Sequence, residues 1–300
     1  MNPTILEWGI EVIQAIQQFR SPLLDSFFLA VTALGDEDIV LLLLPLFIWC
    51  IDFWQGMPIA VFAVLSGYLN FAIKDLVREP RPYILSPGIN IIEYHGYGMP
   101  SGHAQVAVTI WGAVAAWLKR GWAWIAAVTL MVFIGFSRIY LGVHFPTQVF
   151  AGWALGALLL ALYVSTHGDI GAWLARRSVK ERLALALGLP LALGLLHPAP
   201  DPLALAGFLM GLSVGLVATA QWVDFSAGGP GWQRALRFVV GVIALLVIVE
   251  GLKLVFPAEG SALYALFRAL RYALGGVWIT FGGPACFRWL KLAPGAARVS

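Results

Sequence analysis

GMPIAVFAVLSGYLNFAIKD, residues 56–75, decides the fold class. No charge occurs in this stretch before Lys74. As a helix, a run of roughly 20 residues crosses the hydrocarbon core of a bilayer. The run is continuously apolar rather than alternating, which selects helix over membrane strand, and a helix satisfies its own backbone hydrogen bonds in lipid. Comparable runs lie on either side of it, at 38–53, 103–118, 122–139, 147–165, 183–197, 203–222, 238–256 and 272–287. The expected fold is therefore all-α, a polytopic integral membrane protein with about nine transmembrane helices. Composition agrees: 60% of the 300 residues are hydrophobic, only 12% are charged, and the mean hydropathy is +0.83. Those values exclude an ordinary soluble domain.

Residues 1–21 read differently. Glu7, Glu11, Gln14 and Gln18 fall on one helical face and Ile5, Val12, Ile16 and Phe19 on the other, the pattern of an interfacial amphipathic helix. The segment lacks a basic start and a small-residue cleavage site, so it does not read as a signal peptide. Residues 22–165 form a motif-bearing helical core, 166–182 a basic cytoplasmic connection, and 183–300 a set of C-terminal transmembrane helices without a recognisable motif. Cys50 and Cys286 sit in separate apolar segments and indicate neither a disulfide framework nor a metal site. The net charge of +3 is spread over many short loops, which excludes a nucleic-acid partner.

Alternating the spans across the membrane gathers Lys119, Arg120, Arg176, Arg177, Lys180, Arg182, Arg234, Arg237, Arg288, Lys291 and Arg298 on one side. An excess of Lys and Arg marks the cytoplasmic side. The opposite, extracytoplasmic side receives the loops around 77–102 and 139–146, and these hold three polar segments at helix ends. Lys74–Pro82 reads KDLVREPRP, with Lys74 and Arg81 seven residues apart and on one face if the helix continued. A guanidinium fork and an ammonium at a helix end suit a phosphate. Pro100–His103 reads PSGH, where Ser101 and Gly102 can offer backbone N–H groups at a helix start and His103 can give a proton near neutral pH. Ser137–Gln148 reads SRIYLGVHFPTQ and sets Arg138 and His144 either side of a turn that Gly142 permits.

Together these segments resemble the type 2 phosphatidic acid phosphatase superfamily, whose three motifs run KxxxxxxRP, PSGH and SRxxxxxHxxxD. The resemblance covers residues 22–165. It implies a membrane phosphatase, a phosphoric monoester hydrolase acting on a lipid phosphate or pyrophosphate without metal or cofactor. His144 would attack phosphorus to give a phosphohistidine, Lys74, Arg81, Arg138, Ser101 and Gly102 would bind the phosphoryl oxygens, and His103 would protonate the leaving group. Gln148 departs from the pattern, standing where most members carry the Asp that orients the nucleophile. The segment HFPTQ is similar to the corresponding stretch of the glucose-6-phosphatase branch, which also carries Gln there. The expected partners are membrane lipids and a phosphorylated lipid or other phosphomonoester, and a homodimer is compatible with this reading. The expected location is the cell inner or plasma membrane with the active site extracytoplasmic.

Two other functions fit the same residues. A phosphotransferase would pass the phosphoryl group to a lipid or sugar hydroxyl, and a non-catalytic lipid transporter or scramblase would use the C-terminal helices as a path. Arg78, His95, Tyr83, Tyr94 and Tyr97 read as ordinary loop or interfacial residues. Glu250, Lys253, Arg268 and Arg271 are charges in or beside apolar spans, for which pairing of Glu250 with a back-half arginine is the plainer account. His167 and His197 receive no role.

Overall fold

A computed structural model describes residues 3–295 and, within them, the side chains other than those of residues 3 and 37–41. Arg298, assigned above to the basic side, lies outside the described residues. Every regular element among them is helical: α1 Pro3–Gln17, α2 Pro22–Ala33, α3 Glu37–Cys50, α4 Phe53–Val77, α5 Pro82–Leu85, α6 Gly102–Val106, α7 Gly112–Leu118, α8 Gly121–Tyr140, α9 Pro146–Ala175, α10 Val179–Leu196, α11 Pro200–Trp222, α12 Gly231–Leu246, α13 Leu252–Val255, α14 Tyr264–Val277 and α15 Gly283–Trp289. Single π-helical turns join α6 to α7, α12 to α13 and α14 to α15.

Among the described residues, five stretches are long and apolar enough to cross a membrane: Phe53–Leu85, Gly121–Tyr140, Pro146–Ala175, Pro200–Trp222 and Gly231–Val255. Four of them contain a predicted span, and Gly231–Val255 covers all but the last residue of 238–256. The other four predicted spans fold as helices that are shorter, more charged or interrupted: 38–53 as the 14-residue α3, 103–118 as α6 and α7 about their π turn, 183–197 as the greater part of α10 with its C-cap His197, and 272–287 across α14 and α15. The basic connection at 166–182 is mostly helical as well. Helix α9 runs on to Ala175, and Ser178 starts α10 with a capping box closed by Glu181.

The chain divides into two compact units, one of residues 1–40 and 69–166, the other of 41–68 and 167–300. In the first, α1 buries a stripe other than the one read from sequence. Leu6, Ile10, Ile13 and Ile16 pack on Ile89, Ile139, Phe145 and Val149, while Ile5 and Phe19 stay exposed. Gln17 fastens the end of this helix by donating to the carbonyls of Ile89 and Tyr140 at 2.8 and 2.9 Å. A second cluster of Phe28, Tyr140, Leu141 and Val143 lies beneath Tyr83 and Tyr94. These two clusters carry the turn that holds His144.

The second unit is built on small residues. Gly207, Gly211 and Gly215 form a stripe on α11, and a Cβ built on them would lie 2.2, 1.9 and 2.0 Å from Ala269 O, Ala273 O and Thr280 Oγ1. Only glycine lets the two helices approach so closely, the packing device of helices in lipid. Glu250 pairs with Lys253 of its own helix at 3.6 Å rather than with an arginine, and Arg268 pairs with Asp201 at 2.6 Å.

Candidate active site

The three polar segments meet inside the first unit. Helix α4 ends at Val77, because Pro80 and Pro82 cannot continue it. Lys74 lies in its last turn. Arg81 does not share a helical face with Lys74, since the helix has ended at Val77, residues 79–81 are not helical, and Arg81 itself is extended at the start of α5. From there its buried guanidinium donates to Gly96 O at 3.0 Å, Val143 O at 3.2 Å and His95 O at 3.4 Å, tying the 95–96 loop to the His144 turn.

Ser101 is the N-cap of α6, its hydroxyl accepting from Ala104 N–H. Its own N–H donates to Gln148 O at 2.9 Å, so this amide is turned to the protein and not to an anion, contrary to the sequence expectation. Gly102 faces the cationic side: a Cβ there would lie 3.3 Å from Asn70 Oδ1 and 3.7 Å from Lys74 Nζ. Asn70 in turn donates to Gln105 Oε1 at 2.7 Å, bracing α4 against α6.

Between α8 and α9 the chain reverses within five residues. Gly142 takes φ +70°, and a Cβ on it would meet Ile89 O at 2.2 Å, so the position requires glycine. The carbonyl of Arg138 accepts from the N–H groups of both Val143 and His144, at 3.1 and 3.2 Å. Arg138 and His144 are thus fixed to one turn.

His144 is buried, and its Nδ1 lies 3.0 Å from Gln148 Oε1. The Gln148 amide has one workable orientation. Its Nε2 donates to Glu79 Oε1 at 2.8 Å and to Pro80 O at 2.9 Å, both acceptors, while Oε1 also takes the N–H of Phe145 at 3.2 Å. His144 Nδ1 must then be the donor, leaving the lone pair on Nε2, where Arg81 Nη1 donates at 3.0 Å. Burial first, then the charges of Arg81, Arg138 and Lys74, hold the imidazole well below its ordinary pKa. An uncharged imidazole whose Nε2 lone pair is held by a phosphate-matching guanidinium, among three cations, is arranged to attack an electrophile whose anionic oxygens take over that guanidinium.

Arg138 donates through Nη1 to Thr32 Oγ1 at 2.6 Å, and its guanidinium carbon lies 4.3 Å from the centre of the Tyr94 ring. His103 lies edge-on to the same ring at 5.4 Å. Its Nε2 is 2.7 Å from Asp36 Oδ1, which also accepts from the Tyr94 hydroxyl at 3.0 Å. Burial raises the Asp36 pKa, but the His103 hydrogen bond and charge, the Tyr94 hydroxyl and Arg138 outweigh it and hold the carboxyl below the usual range.

Sequence reading named Lys74, Arg81, Ser101, Gly102, His103, Arg138, His144 and Gln148, and the fold brings them into one cluster. It missed Thr32, Asp36 and Glu79 and placed Tyr94 in an interfacial belt. Of these only Glu79 carried a signal, as an acidic residue inside a basic motif.

The model of the PAP2 superfamily matches residues 55–172, and that of the PAP2 superfamily phosphatase transmembrane extension matches 203–296. Lipid phosphate phosphatase delta of Arabidopsis thaliana is 24% identical over 211 residues, 64% of this chain and 50% of that protein. Undecaprenyl-diphosphatase of Sulfolobus acidocaldarius is 32% identical over 120 residues, 38% of this chain and 57% of that protein. The chain thus spans little more than half the length of these relatives. In three dimensions it resembles the crystal structure of a transmembrane PAP2-type phosphatidylglycerolphosphate phosphatase from Bacillus subtilis, with a TM-score of 0.51 at 24% identity over 56% of this chain and 89% of that one. The transmembrane-extension match and the five apolar helices make this chain an integral membrane protein.

Proposed function

We infer, from the premise that this chain belongs to the PAP2 superfamily, that it is a membrane hydrolase of lipid phosphate esters working through a phosphohistidine. The observation that carries the reading is the pair of bonds on His144, Nδ1 to Gln148 Oε1 and Nε2 to Arg81 Nη1, which sets a nucleophilic lone pair against a phosphate-binding cation.

The phosphoryl group enters between Arg81 and His144. His144 Nε2 bonds to phosphorus as the ester P–O bond breaks, and His103, held by Asp36 through Nε2, gives the leaving oxygen a proton from Nδ1. Water then attacks the phosphohistidine, His103 takes its proton, and phosphate departs. Lys74, Arg81, Arg138 and the backbone at Gly102 hold the equatorial oxygens, where phosphoryl transfer develops most of its charge. Ser101 braces the Gln148 segment. The catalytic machinery belongs to residues 22–165.

A lipid phosphate is the favoured substrate, because the site lies at the ends of apolar helices and the two relatives named above carry lipid phosphates or lipid diphosphates in their names. The basic clusters at 119–120 and 176–182 support an extracytoplasmic site by the positive-inside rule. Exposed Ile5 and Trp8 on α1, and Phe19 just past its end, offer apolar side chains to the headgroup region.

The test is phosphate release by the purified protein in detergent from phosphatidate, phosphatidylglycerophosphate, sphingosine 1-phosphate, an isoprenyl pyrophosphate and glucose 6-phosphate, with EDTA present. Release from a lipid phosphate that disappears in His144→Ala is expected. Equal release by His144→Ala, or release from glucose 6-phosphate alone, would overturn the reading.

A further inference from the structure

We propose that Glu79 is a positioning residue for His144, acting through Gln148 and supplying at one remove the negative charge that an acidic residue at position 148 would supply directly. The inference rests on the hydrolase reading above. Glu79 is 6% exposed, and its Oε1 takes the Nε2–H of Gln148 at 2.8 Å. Its backbone carbonyl accepts from Gly98 N–H at 2.7 Å, which fixes the residue in the loop. The chain of bonds runs from Glu79 to Gln148 to His144 Nδ1 without a gap.

Two effects follow. The first is orientation: a glutamine amide in isolation can turn over, but here Nε2 faces a carboxylate and a carbonyl, so only Oε1 can face the ring. That keeps the proton of His144 on Nδ1 and the lone pair on Nε2. The second is charge. When Nε2 bonds phosphorus the ring becomes cationic, with its proton still on Nδ1. A carboxylate on the far side of the amide polarises it and makes Oε1 a better acceptor for that proton.

The experiment compares wild type, His144→Ala, Glu79→Gln, Gln148→Asp and Glu79→Gln/Gln148→Asp in two assays. One is phosphate release from phosphatidate, with kcat and KM separated. The other is the imidazole 15N spectrum of histidine-labelled protein in lipid nanodiscs, which reads the His144 tautomer without catalysis. Glu79→Gln should lower kcat about 10–100-fold with KM within about threefold, and His144 should lose its single Nδ1–H form. Gln148→Asp alone sets two carboxylates face to face and should also be slow. Together the two changes should restore kcat and the Nδ1–H signal, since aspartate then serves the ring directly and Glu79 no longer repels it. The proposal is overturned if Glu79→Gln keeps kcat within about twofold, if its loss is in KM, or if the double variant is no faster than either single one. Absence of phosphate release by wild type would defeat the hydrolase reading, and the tautomer in Glu79→Gln would still decide the relay.

Discussion

Arg138 is held on two sides: its guanidinium carbon sits 4.3 Å from the Tyr94 ring centre, and its Nη1 donates to Thr32 at 2.6 Å. Its Nε and Nη2 are buried without a hydrogen-bond partner among the described residues, so this edge of the fork is already desolvated. A lysine keeps the charge and loses both the fork and the Thr32 bond. Arg138→Lys should reduce kcat/KM for phosphatidate about 100-fold or more, in line with the loss of a preorganised donor. Steady-state phosphate release measures it, and activity within about threefold of wild type would show that the free edge is not used.

Gly98 lies against the Gln148 amide. A Cβ there would fall 2.4 Å from Nε2 and 2.5 Å from Oε1, and the amide cannot retreat without breaking its bonds to Glu79, Pro80 and His144. Gly98→Ala should therefore cut kcat at least about tenfold, the scale of disturbing a ligand-orienting neighbour. Gly88 is the control, with φ +88° and nothing within 4 Å of a built Cβ. Gly88→Ala should cost about 1 kcal/mol in stability from backbone strain and leave kcat alone. A melting curve and a rate for each variant separate the two effects.

The motif residues were legible because their spacing is local: Arg138 and His144 share one turn, and Ser101 and His103 one helix start. Their partners were not. Asp36 meets His103 across 67 positions, Thr32 meets Arg138 across 106, and Glu79 meets Gln148 across 69. No periodicity encodes a contact of that range. Helix α1 was legible as amphipathic, but its buried stripe follows Leu6, Ile10 and Ile13, because it packs on protein at Phe145 and Val149 as well as facing outward. The span count was least legible where π turns and prolines break apolar runs into short helices, as at α6 and α7.

In the second unit Arg237 is fully buried and donates to Ser226 O, Ala227 O and Gly228 O at 3.1, 3.0 and 2.6 Å. These bonds close the 226–228 turn onto α12. Arg237→Met fills similar volume and leaves three carbonyls without their donor, so a destabilisation of about 2–4 kcal/mol is expected. Thermal unfolding in detergent should show it as a lower midpoint. An unchanged midpoint would mean that water replaces the arginine.

The acidic side of the pH profile follows from His144. Only the neutral ring attacks, and burial together with Arg81, Arg138 and Lys74 depresses its pKa. The fall in kcat/KM, which reports the free enzyme, should therefore begin below the ordinary imidazole value of about 6.5 rather than at it. Lys74→Met removes one of the depressing charges and should move that limb upward in pH, whatever it does to the absolute rate. A limb at about 6.5 in wild type, unmoved by Lys74→Met, would show that another group sets it.

Asp36 offers a way to isolate the leaving-group step. Its 2.7 Å bond orients the His103 ring and raises the imidazole pKa against burial and Arg138, which push it down to about 3, and the Tyr94 hydroxyl holds the carboxylate in place. Asp36→Asn keeps the shape and removes the charge. A lipid alkoxide departs poorly without a proton, whereas p-nitrophenolate needs none. The substitution should slow release from phosphatidate about 100-fold, within the range of general-acid catalysis, and release from p-nitrophenyl phosphate no more than about threefold. Equal losses on both substrates would place Asp36 in holding Tyr94 and Arg138 rather than in steering the proton, because that defect would strike every phosphate alike.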